Sequence, residues 1–326
     1  MHRRHFLKNT GKAGLALSLA QYISPLDMIY NIQDAQKEPF FKLSLAQWSL
    51  HKAILETKTL DPLDFSKKAK QLGFDAVEYV NQLYTLDQSN ISASLNKLVK
   101  ELITRSADNG VANVLIMIDN EGELAAASKA SRDEAIANHS KWVDAAAGLG
   151  CHAIRVNLFG VGAETDFNIW KETSIDGLGR LAQYAAKSNI NVIVENHGGL
   201  SSDAGKLTEV IKSINLKNCG TLPDFGNFCV KREGGERWGT PCIDEYDKYK
   251  GVLQLMPFAH GVSAKTFDFD AQGNETTIDY YKMLKIVKDA GYTGRIGIEY
   301  EGSRLSEEEG IKATKALLLK AAAKLK

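Results

Sequence analysis

Two kinds of hydrophobic pattern alternate along residues 41–326. Short apolar runs, bounded by polar residues or glycine, begin 28 to 39 residues apart and are typical of buried β-strands. The longer segments between them place apolar residues at helical spacing. The eight predicted strands are Lys42–Ser49, Phe74–Val80, Asn113–Asp119, His152–Leu158, Asn191–Glu195, Cys219–Asp224, Pro257–Ser263 and Arg295–Tyr300.

The predicted helices occupy the intervals between the strands. Glycine directly follows three of them, at Gly73, Gly150 and Gly291, as is common at helix C-termini. Strict alternation of strand and helix predicts a parallel sheet, and eight such units predict an α/β fold closed into a (β/α)8 TIM barrel. An open doubly wound sheet is the alternative, but no glycine-rich dinucleotide-binding motif follows the first strand. The helices are predicted at Asp64–Leu72, Arg132–Leu149, Ile175–Ser188, Ala204–Ile214 and Asp279–Ala290.

The first twenty residues have the pattern of an export signal. Arg3 and Arg4 are followed by His-Phe-Leu-Lys, which resembles a twin-arginine signal, and a weakly apolar run extends from Ala13 to Ala20. That run is too short to span a bilayer. We therefore expect export to the periplasm, with a signal at 1–20, a linker at 21–40 and the barrel at 41–326. A basic tail on a cytoplasmic protein is the alternative.

Composition narrows the function classes. The 326 residues are 44% hydrophobic and 25% charged, which is typical of a globular chain whose core is large enough to fold without disulfides. Because 40 Lys and Arg balance 40 Asp and Glu, no nucleic-acid partner is expected. No membrane span is expected either, and the sequence leaves a homo-oligomer open.

The four cysteines lack the close spacing of a thiolate metal site. Cys151 and Cys219 open apolar runs, so we expect both to be buried thiols. A disulfide between Cys229 and Cys242 is compatible with an oxidising compartment, but their spacing does not decide it.

Polar or aromatic side chains stand at the carboxyl ends of the predicted strands. In a closed barrel, the loops that follow these ends build the active site. One polar residue at a strand end means little, whereas polar residues at all eight ends indicate a site. The residues are Gln47, Trp48, Glu78, Asp119, Arg155, Asn157, Glu195, Asn196, His197, Asp224, Asn227, His260, Lys265, Glu299 and Glu301.

The last four predicted strands carry a candidate metal site. Three carboxylates and one imidazole would converge there, and such ligands favour Mn²⁺, Mg²⁺ or Co²⁺ over a thiolate-type zinc site. A divalent cation would also relieve the repulsion among the carboxylates. The alternative is that each carboxylate caps a helix or pairs with Arg155 or Lys265. We expect one divalent ion, Mn²⁺ before Mg²⁺, Co²⁺ or Zn²⁺. The predicted ligands are Glu195, Asp224, His260 and Glu299.

Four segments carry a resemblance to a known family: Val192–Gly199, Leu222–Phe228, Ala259–Thr276 and Gly291–Gly302. Through them, the chain from Lys42 onward resembles the xylose-isomerase-like TIM-barrel superfamily of sugar isomerases and epimerases, including the sugar phosphate enzymes. The resemblance implies a Glu–Asp–His–Glu metal site at the four predicted ligands. It also implies that the two glutamates act as acid and base.

The sequence departs from part of that superfamily. Three residues after Asp224, where the trinuclear-zinc endonuclease IV branch has a histidine, this chain has Asn227. Neutral charge and a predicted export signal also disfavour a nuclease. Glu301 faces the same way as Glu299 on an extended strand, so either is a candidate ligand, and we choose Glu299 because it lies within the strand.

The chemistry expected of such a site is proton transfer next to a carbonyl through an enediolate. We assign Glu195 and Glu299 as base and acid in either order. We expect Lys265 to steady the developing oxyanion and His197 to orient a substrate hydroxyl, although His197 could instead cap the following helix. The predicted substrate-binding residues are Glu78, Trp48, Arg155 and Asn227. For Glu78 and Trp48, packing in the barrel is the alternative.

Four functions remain open at this stage. The first is a metal-dependent isomerase or epimerase of a sugar or sugar derivative. The second is a lyase that cleaves 3-keto-glycosides by the same proton abstraction followed by elimination. A non-catalytic carbohydrate-binding barrel and an endonuclease IV-like enzyme follow. Because few cationic residues accompany the acids near strands 7 and 8, an unphosphorylated carbohydrate is the expected substrate.

Overall fold

The computed structural model describes residues 38–159 and 166–325. The predicted export signal and all but the last three residues of the predicted linker lie outside the described residues. Among the residues that are described, no helix has the length and apolarity needed to cross a membrane.

Eight parallel strands form one curled sheet in the order β6-β5-β4-β3-β2-β1-β10-β9. The predicted TIM-barrel fold is therefore confirmed. At the remaining seam, two isolated parallel bridges close the gap: Thr221 of β6 pairs with Ala259, three residues before β9, and Asp224, two residues after β6, pairs with Ser263 of β9. Pro223 lies between these bridges and has no backbone N–H to donate, which limits regular pairing there. The barrel strands are β1 (Lys42–Ala46), β2 (Ala76–Val80), β3 (Ala112–Ile118), β4 (Ala153–Val156), β5 (Asn191–Glu195), β6 (Cys219–Leu222), β9 (Val262–Thr266) and β10 (Arg295–Tyr300).

The α-helices alternate with these strands and cover the outside of the sheet. As a consequence β2 is buried at every position and β3 at its last five positions, which explains their mainly apolar sequences. The helices are α1 (Phe65–Gln71), α2 (Ile91–Asp108), α3 (Lys129–Leu149), α4 (Phe167–Ala186), α5 (Ala204–Ile214), α6 (Lys248–Leu255), α7 (Tyr280–Asp289) and α8 (Glu307–Lys324).

Seven predicted strands overlap the observed ones closely, whereas the seventh is displaced. The prediction Pro257–Ser263 falls mostly before β9, which begins at Val262. Pro257 lies in a short 3-10 helix, Met256–Phe258, because proline suits the first turn of a helix and cannot donate to a central strand. This displacement has a direct consequence for His260.

One element was not anticipated from the alternation of strands and helices. Between β6 and α6, strands β7 (Cys229–Arg232) and β8 (Cys242–Glu245) form an antiparallel pair. A disulfide joins Cys229 to Cys242, with their Cα atoms 5.8 Å apart. We call residues 229–245 the rim hairpin. Cys151 and Cys219 are buried thiols, as expected.

Candidate active site

Three carboxylates meet at the carboxyl ends of β5, β6 and β10. One oxygen atom from each of Glu195, Asp224 and Glu299 lies within 4.8 Å of the others. Glu195 ends β5, Asp224 follows β6 after Pro223, and Glu299 is the next-to-last residue of β10. All three side chains are almost completely buried. We call these three residues the acidic cluster.

Burial governs the charge of the acidic cluster. It raises the pKa of Asp224 to about 8 and raises the pKa of both Glu195 and Glu299, because the charged forms lose hydration. Two buried cations oppose this effect. Arg155 Nε lies 2.9 Å from Glu195 Oε2, and Lys265 Nζ lies 2.9 Å from Glu299 Oε1. The cluster therefore contains carboxyl groups that can hold a proton near neutral pH and cations that stabilise their ionised forms.

The donors of the acidic cluster fit a hard divalent cation. Asp224 Oδ1 accepts the backbone N–H groups of Gly226 and Asn227, both at 2.8 Å, and Glu195 Oε1 accepts Asn227 Nδ2 at 2.9 Å. Within residues 38–159 and 166–325, Asp224 Oδ2 is buried without a hydrogen-bond partner, whereas Glu195 Oε2 faces the guanidinium of Arg155. A buried carboxylate oxygen without a partner is costly, and a cation would satisfy Asp224 Oδ2.

His260 does not reach the acidic cluster. Its ring lies against Gly220, where a Cβ atom would be 2.4 Å from His260 Cδ2. Gly220 lies four residues before Asp224, which corresponds to about 13 Å along a strand. The predicted ligand role of His260 assumed that residue 260 lies at the end of a strand, whereas it lies two residues before β9 begins.

The seventh barrel strand, β9, contributes Lys265 and Ser263 next to the acidic cluster, and Ser263 Oγ donates to Glu299 Oε2 at 3.1 Å. Lys265 supplies the positive charge. It is 1% exposed and its Nζ also lies 3.3 Å from Glu301 Oε1. These neighbouring carboxylates raise the pKa of Lys265 well above its ordinary value despite burial, so the ammonium stays charged. An oxygen-rich cluster with a fixed ammonium therefore replaces the predicted three carboxylates and imidazole.

A chain of hydrogen bonds links the cluster to His197. Arg155 Nη1 donates to Asp119 Oδ1 at 2.7 Å, and Asn157 Nδ2 donates to the same oxygen at 2.6 Å. Because the Asn157 amide nitrogen faces Asp119, its Oδ1 accepts a hydrogen bond from His197 Nδ1 at 2.7 Å. His197 Nε2 is then the ring nitrogen that carries a lone pair. Burial lowers the pKa of His197 to about 4, so the ring is neutral at neutral pH.

A pocket of about 490 Å³ opens above these groups. Its lining combines a polar floor with four aromatic rings and with charged residues such as Glu121, Glu123, Arg232 and Arg237, and the rim hairpin supplies part of it. Glu299 is the member of the acidic cluster that lines it. The other floor residues are Asp119, Arg155, Asn157, His197, Asn227 and Glu301, and the wall contains Trp48, Phe159, Trp238 and Phe267.

The remaining predicted substrate-binding residues differ in position. Arg155, Asn227 and Trp48 line the pocket, with Trp48 stacked 4.6 Å from His51 at its mouth. Glu78 instead lies inside the barrel, where Ser44 Oγ donates to its Oε1 at 2.6 Å. Gly297 makes room for it, since a Cβ atom there would lie 2.6 Å from both Glu78 carboxylate oxygens. Glu78 therefore packs inside the barrel, which was the alternative to a role in substrate binding.

The sequence pattern placed Asp119 and Asn157 among the strand-end residues of the site but gave them no individual role, and it kept Glu301 as the alternative to Glu299 as a metal ligand. The hydrogen bonds of Asp119 and Asn157 to Arg155 and His197 appear only in the structure. The rim hairpin was missed. Its signal in the sequence was an unusually long segment between the sixth strand and the next helix, containing two cysteines and several glycines.

Comparison with known proteins agrees with this architecture. Residues 66–321 match the family described as xylose isomerase-like TIM barrel. The apo crystal structure of the 3-keto-D-glucoside 4-epimerase YcjR from E. coli is similar, with a TM-score of 0.65 and 14% identity over 86% of this chain and 99% of that one. Among curated proteins, none matches the sequence.

Two further solved structures share the fold. An L-ribulose 3-epimerase is 16% identical over 87% of this chain and 96% of its own, with a TM-score of 0.65. A xylose isomerase-like TIM-barrel protein from Mycobacterium smegmatis, in complex with magnesium, is 16% identical over 87% of this chain and 97% of its own, with a TM-score of 0.60. At these identities the likeness establishes the fold.

Proposed function

Because the chain belongs to the xylose isomerase-like TIM-barrel family, we propose that it is an epimerase or isomerase of a sugar or sugar derivative. The observation that carries this proposal is the acidic cluster beneath a pocket of about 490 Å³, with Glu299 at the boundary between the two. Several proteins that share the fold are sugar epimerases, which agrees with a carbohydrate substrate.

In the proposed reaction, a carboxylate removes the proton next to a substrate carbonyl and a carboxyl group returns one to the carbon skeleton. Glu299 is the better placed of the two predicted acid–base residues, because it lines the pocket while Glu195 lies beneath it. The raised pKa of Glu299 makes its carboxylate a stronger base than an exposed one. Lys265 stabilises the ionised form of Glu299 and the negative charge that develops nearby.

Glu195, Asp224 and Glu299 would hold one divalent ion. When bound, such an ion would polarise the substrate carbonyl and so acidify the neighbouring C–H. The all-oxygen donor set favours Mn²⁺ or Mg²⁺ over Zn²⁺, and we retain Mn²⁺ as the first candidate. Lys265 competes for Glu299, so we expect weaker retention of the ion than at a site with a fourth protein ligand.

His197 and Arg155 would orient the substrate. The hydrogen bond to Asn157 leaves His197 Nε2 as an acceptor for a sugar hydroxyl, and the ring is neutral at neutral pH. Arg155 is held by Asp119, so its remaining guanidinium hydrogens keep a constant direction. These two residues line the floor beside Glu299.

A lyase acting on 3-keto-glycosides is the second candidate function. It would use the same proton abstraction, after which the glycosidic oxygen on the neighbouring carbon would leave with a proton. The aromatic outer wall favours this candidate, because a glycoside carries a group beyond the reacting sugar that needs such a surface.

We also propose that the protein is exported. The disulfide between Cys229 and Cys242 supports this location, because disulfides persist in oxidising compartments such as the periplasm. The twin-arginine pattern at Arg3 and Arg4 points the same way.

Proton exchange in deuterated water tests the proposed chemistry. The protein, loaded with Mn²⁺ or Mg²⁺, is incubated with ketoses, aldoses and 3-keto-glycosides, and NMR follows deuterium entering the C–H next to the carbonyl. We expect incorporation with at least one substrate, and the product distinguishes epimer, isomer and released aglycone. An absence of exchange across the panel, with the ion verified in the site, would contradict the proposal.

A further inference from the structure

The rim hairpin places an aromatic surface above the floor of the pocket. The ring of Trp238 lies 4.7 Å from the ring of His197 and 5.8 Å from that of Phe159, measured between centroids. Even so, 44% of Trp238 is exposed. A tryptophan that packs against the site and keeps much of its surface open at the pocket mouth is suited to contact a ligand.

This surface is held in place before any ligand arrives. The disulfide joins the two strands of the rim hairpin, and Arg232 Nη1 donates to the backbone oxygen of Thr240 in the intervening loop at 2.6 Å. The Trp238 ring rests on Gly198, where a Cβ atom would be 3.4 Å from Trp238 Cη2. Gly198 also has a φ of 94°, a conformation that favours glycine. A preformed contact surface loses little entropy on binding.

The cations near Trp238 already have partners. The guanidinium of Arg237 lies 4.1 Å from the centroid of the Phe159 ring and forms an ion pair with Glu123 at 2.9 Å. The guanidinium of Arg232 lies 5.9 Å from the Trp238 ring centroid and is bonded to Thr240. Both guanidinium groups are therefore held against aromatic rings of the surface, and Arg237 is also paired with a carboxylate.

We propose that Trp238 and Phe159 form a subsite for a second ring, so that the substrate is a glycoside rather than a free monosaccharide. The reacting sugar would lie on the floor beside Glu299, and its aglycone or second sugar would stack on Trp238. The pocket volume of about 490 Å³ falls within the roughly 300–1,000 Å³ of sites for drug-sized ligands. This inference depends on the proposed function only in assuming that the reacting sugar binds on the floor of the pocket.

Calorimetric titration of the full chain with unreactive glycosides tests the subsite without requiring catalysis. The probes are methyl β-glucoside with one ring, and cellobiose and p-nitrophenyl β-glucoside with two. We expect the two-ring probes to bind about tenfold more tightly than the one-ring probe. Trp238→Ala should remove this preference, and Trp238→Phe should keep most of it.

Ile243→Ala is the matched control, because Ile243 is 58% exposed on the same rim hairpin. It should leave the preference unchanged, and melting temperatures should show that all variants fold. A wild-type chain that binds all three probes equally, or binds none, overturns the proposal, as does a preference that survives Trp238→Ala. Failure of the deuterium-exchange experiment would remove the proposed reaction but not a stacking preference that depends on Trp238.

Discussion

The acidic cluster and the rim hairpin border the same pocket but are stabilised in different ways. The carboxylates of the cluster come from strand ends of the barrel and are almost completely buried. The rim hairpin contributes no strand to the barrel sheet, and a disulfide closes it. Its residues Trp238 and Ile243 are well exposed.

This difference indicates that the acidic cluster and the rim hairpin have separate functions. Side chains of the acidic cluster are positioned by neighbouring barrel strands, so the loss of one of them changes the charge balance of a buried region. The rim hairpin can change in sequence and length without disturbing those strands. We therefore expect residues of the barrel to determine the reaction, and residues of the rim hairpin to determine which substrate is bound.

The largest expected effect is on activity, and it should differ between variants of Glu299 and of Glu301. Glu299 belongs to the acidic cluster, whereas Glu301 is more exposed and shares only Lys265 with it. We expect Glu299→Gln to slow deuterium exchange by about 10²- to 10⁴-fold, the range for a lost acid–base group, and Glu301→Gln to slow it less. Equal losses in the two variants, measured by NMR, would contradict the assignment of Glu299.

Lys265→Met tests the charge balance of the cluster. Removing a buried ammonium leaves Glu299 without its partner, and breaking a buried ion pair costs about 3–5 kcal/mol. We expect this loss in the free energy of unfolding in urea with EDTA present, and partial recovery when Mn²⁺ is added, because the ion supplies positive charge.

The control for this prediction is Lys285→Met. Lys285 pairs with Asp289 on the surface of α7, and exposed pairs contribute little to stability. If Lys265→Met were as stable as Lys285→Met, or if Mn²⁺ had no effect, the acidic cluster would not depend on a cation.

Glu78 gives the buried interior of the barrel a dependence of stability on pH. Burial raises the pKa of Glu78 from 4.5 to about 7. Between these pH values the unfolded chain loses the proton that the folded chain keeps, so stability from Glu78 is present below pH 4.5 and lost as pH rises to about 7. The loss should approach about 3 kcal/mol.

Urea unfolding at pH 5 and pH 8 measures this contribution. We expect Glu78→Gln to lose less stability than the wild type over that interval, since Gln does not ionise and its amide oxygen can still accept from Ser44 Oγ. Identical losses in the two proteins would show that Glu78 does not titrate in this range.

Removal of the disulfide is expected to have the smallest effect on the stability of the barrel. Replacing Cys229 and Cys242 together by serine should loosen the rim hairpin and leave barrel unfolding nearly unchanged, because no barrel strand ends at the bridge. Limited proteolysis should show new cleavage within residues 233–241. First cleavage within the barrel strands would instead mean that the hairpin stabilises the barrel.

Most of the fold was predictable because long parallel strands and helices leave separate periodic signals. Helix α5 matches its prediction at both ends, Ala204 and Ile214. The seventh strand was misplaced because the apolar run from Pro257 resembles a strand, and only the structure shows that Pro257 lies within a short helix. Because of this error of a few residues, His260 was wrongly expected to lie in the site.

Within the candidate site, Glu195, Asp224 and Glu299 were brought together as the strand order predicted. Roles that depend on neighbours were not predictable. Glu78 stands at a strand end in sequence but faces the barrel interior, next to the space that Gly297 leaves. Lys265 was expected to act on an oxyanion, and it also holds Glu299 and Glu301.

The sequence by itself determined the barrel, because burial of parallel strands requires apolar runs at regular spacing, and it determined which strand ends carry carboxylates. The tertiary structure alone decided which polar side chains share one space. It placed Lys265 rather than His260 beside the acidic cluster, and it brought Trp238 of a cysteine-containing insertion into the lining of the pocket that Glu299 also borders. The physical reason is that periodicity is a local property of the chain, whereas charge pairing and cavity shape depend on residues far apart in sequence.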